Sequence, residues 1–302
     1  MKKTDYSEVA KRYDENRSRQ KIERDADLER ALRLRFNDGS SDATVFRILD
    51  LGCGTGNYLQ VQRGYFDTWN PDVSSEEAEP GDARTIKIEW YGIDASHAML
   101  DRARVKLMAE GFEEQGREEP ADNSAVPFFD LREGDALDLP YHDDMFDFIT
   151  CNFAFHHFSD KERALDEIKR VLTPNGTFKI WNIQPELMEG WWVYRYFPEA
   201  RLEDGERFWR EERLFHQLER RGFTVRIRTS RTLKRRRLDH ILEDIERRDI
   251  SELANLADAD YRLGKAAVEA LLEASKREDT RRSAAIVDEF SQIILTAVKS
   301  GV

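Results

Sequence analysis

Hydrophobic residues along this chain follow two alternating patterns. The run VFRILDL at Val45–Leu51 is nearly continuous, which is typical of a strand buried on both faces of a parallel sheet. Further strands are predicted at 86–94, 177–183, 222–230 and 290–298. Apolar residues at three- and four-residue spacing predict helices at 5–17, 19–36, 58–66, 96–111, 159–172, 208–221 and through most of 233–287. This alternation of strands and helices indicates an α/β fold.

Two loop segments and a helix-capping sequence lie between these elements. Two acidic stretches, 70–84 and 111–123, contain prolines and glycines and are predicted to be exposed loops. The sequence SDKE at 159–162 fits a capping box with Ser159 as its first residue. A helix is therefore expected to begin there.

A glycine-rich turn follows the first strand without a spacer. Gly52, Gly54 and Gly56 occupy alternate positions, where the backbone can turn sharply and approach a ligand that a Cβ would meet. This pattern predicts a loop that cradles a nucleotide. The dinucleotide fingerprint has its third glycine three residues after the second, and Asn57 stands there instead. A nicotinamide-dependent dehydrogenase is therefore disfavoured.

Four segments, taken in order, carry a family resemblance. With Asp50 before it, the loop has the pattern acid-x-Gly-x-Gly-x-Gly, and the strand at 86–94 ends in Asp94. Residues 133–158 contain an acid, a Leu-Pro segment and an apolar strand, and residues 167–182 supply a helix, a turn and another strand. Together these segments resemble the class I S-adenosylmethionine (SAM)-dependent methyltransferases.

The resemblance implies an α/β, Rossmann-like sheet of seven mostly parallel strands with helices on both faces. We expect an N-terminal helical cap at 1–40, a SAM-binding core at 41–232, a helical insertion at 233–288 and the final core strand at 289–302. No metal is implied, and the histidines lack the spacing of a zinc site.

The same resemblance assigns the contacts to the cofactor, SAM. Asp94 would hold the two ribose hydroxyls, because a carboxylate offers several acceptor sites to a vicinal diol. Asp50 would orient the loop or meet the amino group of the methionine moiety, and Asn152 would lie between that moiety and the substrate. The full set is Tyr13, Asp50, Gly52, Gly54, Gly56, Asp94, Ala95, Met99, Asp135, Ala136 and Asn152.

Two members of this set have a simpler alternative. Tyr13 would cover the SAM pocket, but its ring could equally pack on the domain. Met99 would touch adenine together with Ala95, Asp135 and Ala136, and packing in the core is compatible with that role.

Composition and charge narrow the possible partners. A net charge of −12 disfavours a broad nucleic-acid-binding face. Five basic residues cluster at 231–237, but acids follow them at helical spacing, so this stretch is predicted to be the solvated start of a helix.

The chain also lacks the usual signals for export or membrane insertion. No apolar run approaches the ~18 residues of a membrane helix, and the N-terminus lacks the apolar region of a secretory signal. Cys53 and Cys151 fit neither a disulfide framework nor a zinc site. We expect a cytoplasmic location and no association with a membrane.

Two further features concern the reaction itself. His157, just beyond the fourth strand, is a candidate general base, with a structural histidine as the alternative. Aromatic residues crowd 191–197, and an acceptor pocket is predicted there from Trp191, Trp192, Tyr194 and Arg195. Packing of the rings into a core is the alternative.

We therefore predict a SAM-dependent methyltransferase that acts on a small-molecule acceptor. One alternative is an RNA or protein methyltransferase, which the acidic balance disfavours. The other is a protein that binds SAM without turnover.

Overall fold

A computed structural model of the 302-residue chain describes residues 14, 22–37, 45–66, 86–111, 113–114, 128–248, 250–277 and 284–301. Tyr13, nearly all of the helix predicted at 5–17 and most of both acidic stretches lie outside the described residues.

The described residues form ten α-helices and eight strands. The helices are α1 (Ala26–Asn37), α2 (Asn57–Phe66), α3 (His97–Ala109), α4 (Lys161–Val171), α5 (Trp192–Tyr196), α6 (Pro198–Arg207), α7 (Glu211–Glu219), α8 (Leu238–Arg247), α9 (Ser251–Ala254) and α10 (Asp258–Arg277). The strands are β1 (Val45–Leu51), β2 (Lys87–Asp94), β3 (Glu113–Glu114), β4 (Phe128–Glu133), β5 (Phe146–Asn152), β6 (Leu172–Ile183), β7 (Phe223–Arg237) and β8 (Ala285–Lys299). Short 3₁₀ turns lie at Phe155–His157 and Pro185–Leu187.

The strands follow one another in the sheet in the order β3-β4-β2-β1-β5-β6-β8-β7. Neighbours from β3 to β6 are parallel. β8 is antiparallel to β7, since Leu238 N donates to Ala284 O at one end and Ser300 N donates to Gly222 O at the other. The two-residue β3 extends the edge of a Rossmann-like sheet of seven strands. The predicted fold class is confirmed.

The chain divides into two compact units. Among the described residues, one unit contains those at 22–181, 215–226 and 295–301, and it is called the sheet unit below. The other contains residues 14, 182–214 and 227–294, and it is called the helical unit. The division into four domains expected from the sequence stays a prediction.

The core of the sheet unit forms where helices pack on the central strands. Its largest cluster joins α1, α2 and α3 to β1, β2, β4 and β5 through Leu28, Leu32, Phe46, Ile48, Tyr58, Leu59, Trp90, Leu100, Leu107, Phe129 and Phe148. On α3 the buried residues are Met99, Leu100, Ala103 and Leu107. This is the face that the three- and four-residue spacing predicts.

The largest difference from the sequence prediction concerns the C-terminal strands. β7 continues to Arg237 and β8 begins at Ala285, whereas the apolar pattern predicts strands only at 222–230 and 290–298. The basic residues at 231–237 therefore lie on a strand, and helix α8 begins after them. Residues 228–235 are exposed on both faces of β7, so no apolar period marks them. Backbone pairing with β8 extends this strand.

Smaller differences occur at helix ends. Residues 22–25 are not helical, so the helix predicted at 19–36 begins only at Ala26. The N-cap of α4 is Asp160 rather than Ser159, because the Asp160 carboxylate accepts a hydrogen bond from Arg163 N at 3.0 Å. Helix α6 was not predicted, and it begins at Pro198, whose fixed φ suits a first helical turn. Helix α7 is shorter than the predicted 208–221.

A cluster of charged side chains is buried inside the sheet unit. Lys179 Nζ on β6 lies 2.7 Å from Asp25 Oδ2 and 3.5 Å from Asp27 Oδ2. Tyr58 Oη donates to the same Asp25 Oδ2 at 2.7 Å, and Asp25 N donates to Gln62 Oε1 at 2.8 Å. These contacts, called the Asp25 cluster below, join the segment before α1 to α2 and β6.

Substitution of Lys179 by methionine should destabilise the protein strongly. The variant Lys179→Met leaves two buried carboxylates without their cation, so we expect a loss of about 3–5 kcal/mol in the free energy of unfolding. Urea denaturation at neutral pH measures it. The matched control is Arg33→Met, which breaks the exposed pair with Glu29 and should cost about 0–1 kcal/mol. Equal urea midpoints for Lys179→Met and Arg33→Met would show that the Asp25 cluster does not stabilise the protein more than an exposed ion pair does.

Candidate active site

The carboxyl ends of the central strands bring the predicted cofactor residues to one edge of the sheet. Leu51 at the end of β1 pairs with Ile93 of β2, and Asp50 pairs with Thr150 of β5. The turn after β1 is tied directly to β2, since Ile93 O accepts Gly52 N at 2.8 Å and Cys53 N at 3.1 Å. Open α/β sheets bind ligands at this edge.

The three glycines of the turn serve different purposes. All have positive φ, 76° at Gly52, 54° at Gly54 and 74° at Gly56. A Cβ on Gly52 would lie 2.5 Å from Ala154 Cβ, and one on Gly56 would lie 3.2 Å from Ala103 Cβ, so these two allow close packing. A Cβ on Gly54 would meet nothing within 4 Å. It would enter open space, which fits a cradle for a ligand.

Asp94 is held beside this open position. Its Oδ2 accepts Gly54 N at 2.9 Å and its Oδ1 accepts Ser96 N at 2.8 Å. The side chain is half-buried. A carboxylate has about four lone-pair sites, so it is suited to accept hydrogen bonds from a vicinal diol. The geometry fits the ribose role that the resemblance implies.

Asp50 lies deeper, with only 2% of its surface exposed. Asn152 Nδ2 donates to Asp50 Oδ1 at 3.5 Å, and Thr150 Oγ1 donates to Asn152 Oδ1 at 3.2 Å. Burial and, to a smaller extent, the negative charge of Asp94 together raise the pKa of Asp50 to about 8, although the Asn152 bond opposes the shift. These surroundings favour the protonated, uncharged form of the carboxyl group.

The residues expected around adenine lie along the ends of neighbouring strands. Ala95 directly follows β2, and Gly134 N, at the end of β4, donates to Asp94 O at 3.1 Å. Ala95 and Asp135 are exposed, whereas Met99 and Ala136 are buried. Asp135 Oδ1 accepts Leu137 N at 3.0 Å, which shapes the turn after β4. Contact of these four residues with adenine stays a prediction.

His157 lies in the 3₁₀ turn that follows β5. Its ring is half-buried and stacks near that of His156, with 3.9 Å between the ring centroids. The preceding Phe153 has a φ of 52°, and its N donates to Trp181 O at 2.8 Å, which fixes the chain as it leaves the strand. A role for His157 as general base stays a prediction.

Comparison with known proteins agrees with this geometry. Residues 78–180, about a third of the chain, match the family model described as a methyltransferase domain. The matched segment belongs to a methyltransferase domain. The predicted family of SAM-dependent methyltransferases is confirmed at this level, and SAM is the methyl donor of that family.

Sequence relatives of the methyltransferase domain have named activities. A demethylmenaquinone methyltransferase from Thermus thermophilus is 34% identical over 181 residues, which cover 60% of this chain and 64% of the relative. A second demethylmenaquinone methyltransferase, from Deinococcus radiodurans, is 32% identical over a segment that covers 46% of this chain and 44% of the relative. The chain thus spans less than two thirds of the length of either relative.

Solved structures share the fold of the methyltransferase domain. A structure from Anabaena variabilis, assigned to antibiotic biosynthesis, superposes with a TM-score of 0.55 at 18% identity, covering 88% of this chain and 96% of the other. A second structure, from Bacillus halodurans, superposes with a TM-score of 0.53 at 16% identity. The superposition covers 91% of this chain and 100% of the other. Within the described residues, no helix is both long and apolar enough to cross a bilayer.

The predicted acceptor residues lie in the helical unit and are mostly buried there. Trp191, Trp192 and Tyr194 are 7%, 2% and 5% exposed, and the rings of Trp191 and Tyr194 meet edge to face at 4.8 Å. Tyr194 Oη donates to Asp204 Oδ2 at 2.8 Å, which ties α5 to α6. Arg195 is exposed. The three rings are packed in a core, as the alternative interpretation of the sequence expected. Their contact with an acceptor stays a prediction.

Sequence reasoning missed the Asp25 cluster below the candidate site. Lys179 pairs with Thr150, which itself pairs with Asp50, so the three side chains share one face of the sheet. A lysine inside the apolar strand FKIWN was the available signal, because a buried lysine requires an acidic partner.

Substitution of Gly54 should abolish SAM binding while the fold persists. In Gly54→Ala the new Cβ enters the open side of the loop, so calorimetry should detect no binding of SAM. The matched control is Gly222→Ala, since Gly222 also has positive φ (83°) and no neighbour within 4 Å of an added Cβ. Both variants carry backbone strain of about 1–2 kcal/mol. Normal binding by Gly54→Ala would show that the cradle lies elsewhere.

Proposed function

We propose that this chain transfers a methyl group from SAM to a small-molecule acceptor. The observation that carries the proposal is the open position at Gly54, set between the half-buried Asp94 and the buried Asp50. An open position without a side chain, beside two acids, suits a ligand with a diol and positive charge.

Each residue has a part in the proposed site. Asp94 binds the ribose hydroxyls through its carboxylate oxygens, and the backbone at Gly54 allows the methionine moiety to approach. Asp50 lies beside that moiety, and Asn152 lies between it and the acceptor. Ala95, Met99, Asp135 and Ala136 border the adenine, and Tyr13 covers the pocket.

Methyl transfer from SAM requires mainly that the protein orient the donor and the acceptor. The sulfonium of SAM supplies an already activated methyl group. The chain must hold the acceptor in line at attack distance and exclude water. His157 would take a proton where the acceptor is a hydroxyl. Trp191, Trp192, Tyr194 and Arg195 belong to the proposal as residues that select the acceptor.

The names of the relatives indicate which acceptor to assay first. Two of them are demethylmenaquinone methyltransferases, so we infer that a demethylmenaquinone is the first candidate substrate here. The acidic net charge of −12 supports a small molecule over a nucleic acid. A cytoplasmic location is part of the proposal.

Loss of the Asp94 carboxylate should weaken SAM and its demethylated product alike. Both carry the same ribose, so Asp94→Ala should lower each affinity by about 1–3 kcal/mol. Titration calorimetry measures this, with circular dichroism to confirm the fold. The control is Asp101→Ala, which removes an exposed carboxylate from α3. Unchanged affinity in folded Asp94→Ala would remove Asp94 from the site.

Turnover tests the function itself. The wild-type protein should move the labelled methyl group of SAM onto a demethylmenaquinone or another small acceptor, and Gly54→Ala should not. Label found in RNA or protein would overturn the proposed substrate class. Tight SAM binding with no transfer to any acceptor would support a protein that binds SAM without turnover.

A further inference from the structure

Asp50 is buried with little to stabilise a negative charge. In the described part of the chain, its carboxylate receives a single hydrogen bond, from Asn152 Nδ2, and at 3.5 Å this lies at the long limit for such a bond. No lysine or arginine of the described residues comes within 4 Å of its oxygens. An ionised carboxylate in such surroundings is costly unless a cation joins it.

The groups that face Asp50 include another acid and several neutral side chains. The acid is Asp94 from β2, and the neutral groups are Cys53 from the glycine turn, Tyr58 from α2, and Cys151 and Asn152 from β5. A cation on the same face of the sheet is Lys179, two strands away on β6. Lys179 is already engaged by Asp25 at 2.7 Å and Asp27 at 3.5 Å. Tyr58 donates its hydroxyl to Asp25. The described residues thus leave the charge of Asp50 to be balanced by a ligand or by a proton.

The methyl donor and its product differ in charge by one unit. SAM carries a sulfonium, an ammonium and a carboxylate, a net charge of +1. When its methyl group leaves, the electron pair of the broken sulfur–carbon bond stays on sulfur, and the product is neutral overall. A cation near a carboxyl group favours the ionised form, and its loss favours the protonated form.

We propose that Asp50 releases its proton when the cationic methyl donor binds and takes a proton back from solvent when the neutral product remains. Asp50 then sets the preference for the methyl donor over its product. The ionised carboxylate attracts the cationic donor, and the reprotonated carboxyl group favours release of the neutral product. The inference rests on the proposed function, since it requires SAM to bind at this turn. The raised pKa of Asp50, caused first by burial and then by Asp94, agrees with it.

Proton linkage in binding tests the inference. Calorimetric titrations at pH 6.5 in buffers of different ionisation enthalpy give the number of protons released per ligand. We expect close to one proton for SAM and close to none for the product. Over pH 5.5–7, where the ammonium of SAM stays charged, SAM affinity should rise about tenfold per pH unit, and product affinity should stay nearly constant.

The variant Asp50→Asn identifies the titrating group. This near-isosteric change should remove the proton release and flatten the pH dependence of SAM affinity. Infrared difference spectra of the wild-type protein give a second readout that does not depend on the variant. Addition of SAM should remove a band of a protonated carboxylic acid, and addition of the product should not, which separates Asp50 from nearby histidines.

The possible failures are distinguishable. If wild-type protein binds both ligands with equal proton release, or if Asp50→Asn releases as many protons as wild type, the inference is overturned and the proposed function stands. If the wild-type protein binds neither SAM nor the product, the proposed function fails, and the inference fails with it.

Discussion

The parallel register between β1 and β2 is the constraint on which the candidate site depends. Because Leu51 pairs with Ile93, the chain leaves β1 where β2 ends, and Ile93 O can accept the first two amides of the turn. That anchor brings Gly54 N to the Asp94 carboxylate. A slip of one residue would exchange the faces of β1 and move Asp50 away from the site. Strand pairing, and not the glycines alone, therefore sets the position of the turn.

Buried charge gives the sheet unit a second level of organisation. Asp25 and Asp27 share Lys179, so both carboxylates have a cationic partner within the protein. Asp50 has no such partner among the described residues, although it lies on the same face of the sheet as Lys179. Natural proteins depart from full pairing of buried charge mainly at functional sites. The lack of a cationic partner therefore distinguishes Asp50 from the other buried acids of this face more clearly than its place in a motif does.

Much of the structure of the sheet unit can be predicted from the sequence, because the sequence patterns that indicate its strands and turn are local. The apolar run of β1, the glycines after it and the acid that ends β2 each lie within a few residues, and the structure brings them together as parallel strands require. The Asp25 cluster could not be predicted this way, since Asp25 and Lys179 are 154 positions apart. The length of β7 was missed for a related reason. Its outer part is held by β8, which begins 48 residues after β7 ends, and its exposed arginines carry no periodic pattern.

The boundary between the two units lies close to the C-terminal end of the family match. The match ends at residue 180, and the chain passes from the sheet unit to the helical unit at residue 182. The proposed donor contacts in the described residues, from Asp50 to Asn152, all belong to the sheet unit. The helical unit has its own core, in which Tyr194 bonds to Asp204 and Trp192 N bonds to Asp288. Those contacts hold the aromatic rings in packed positions, so the proposed part of Trp191, Trp192 and Tyr194 in acceptor choice would come in addition to their packing in this core.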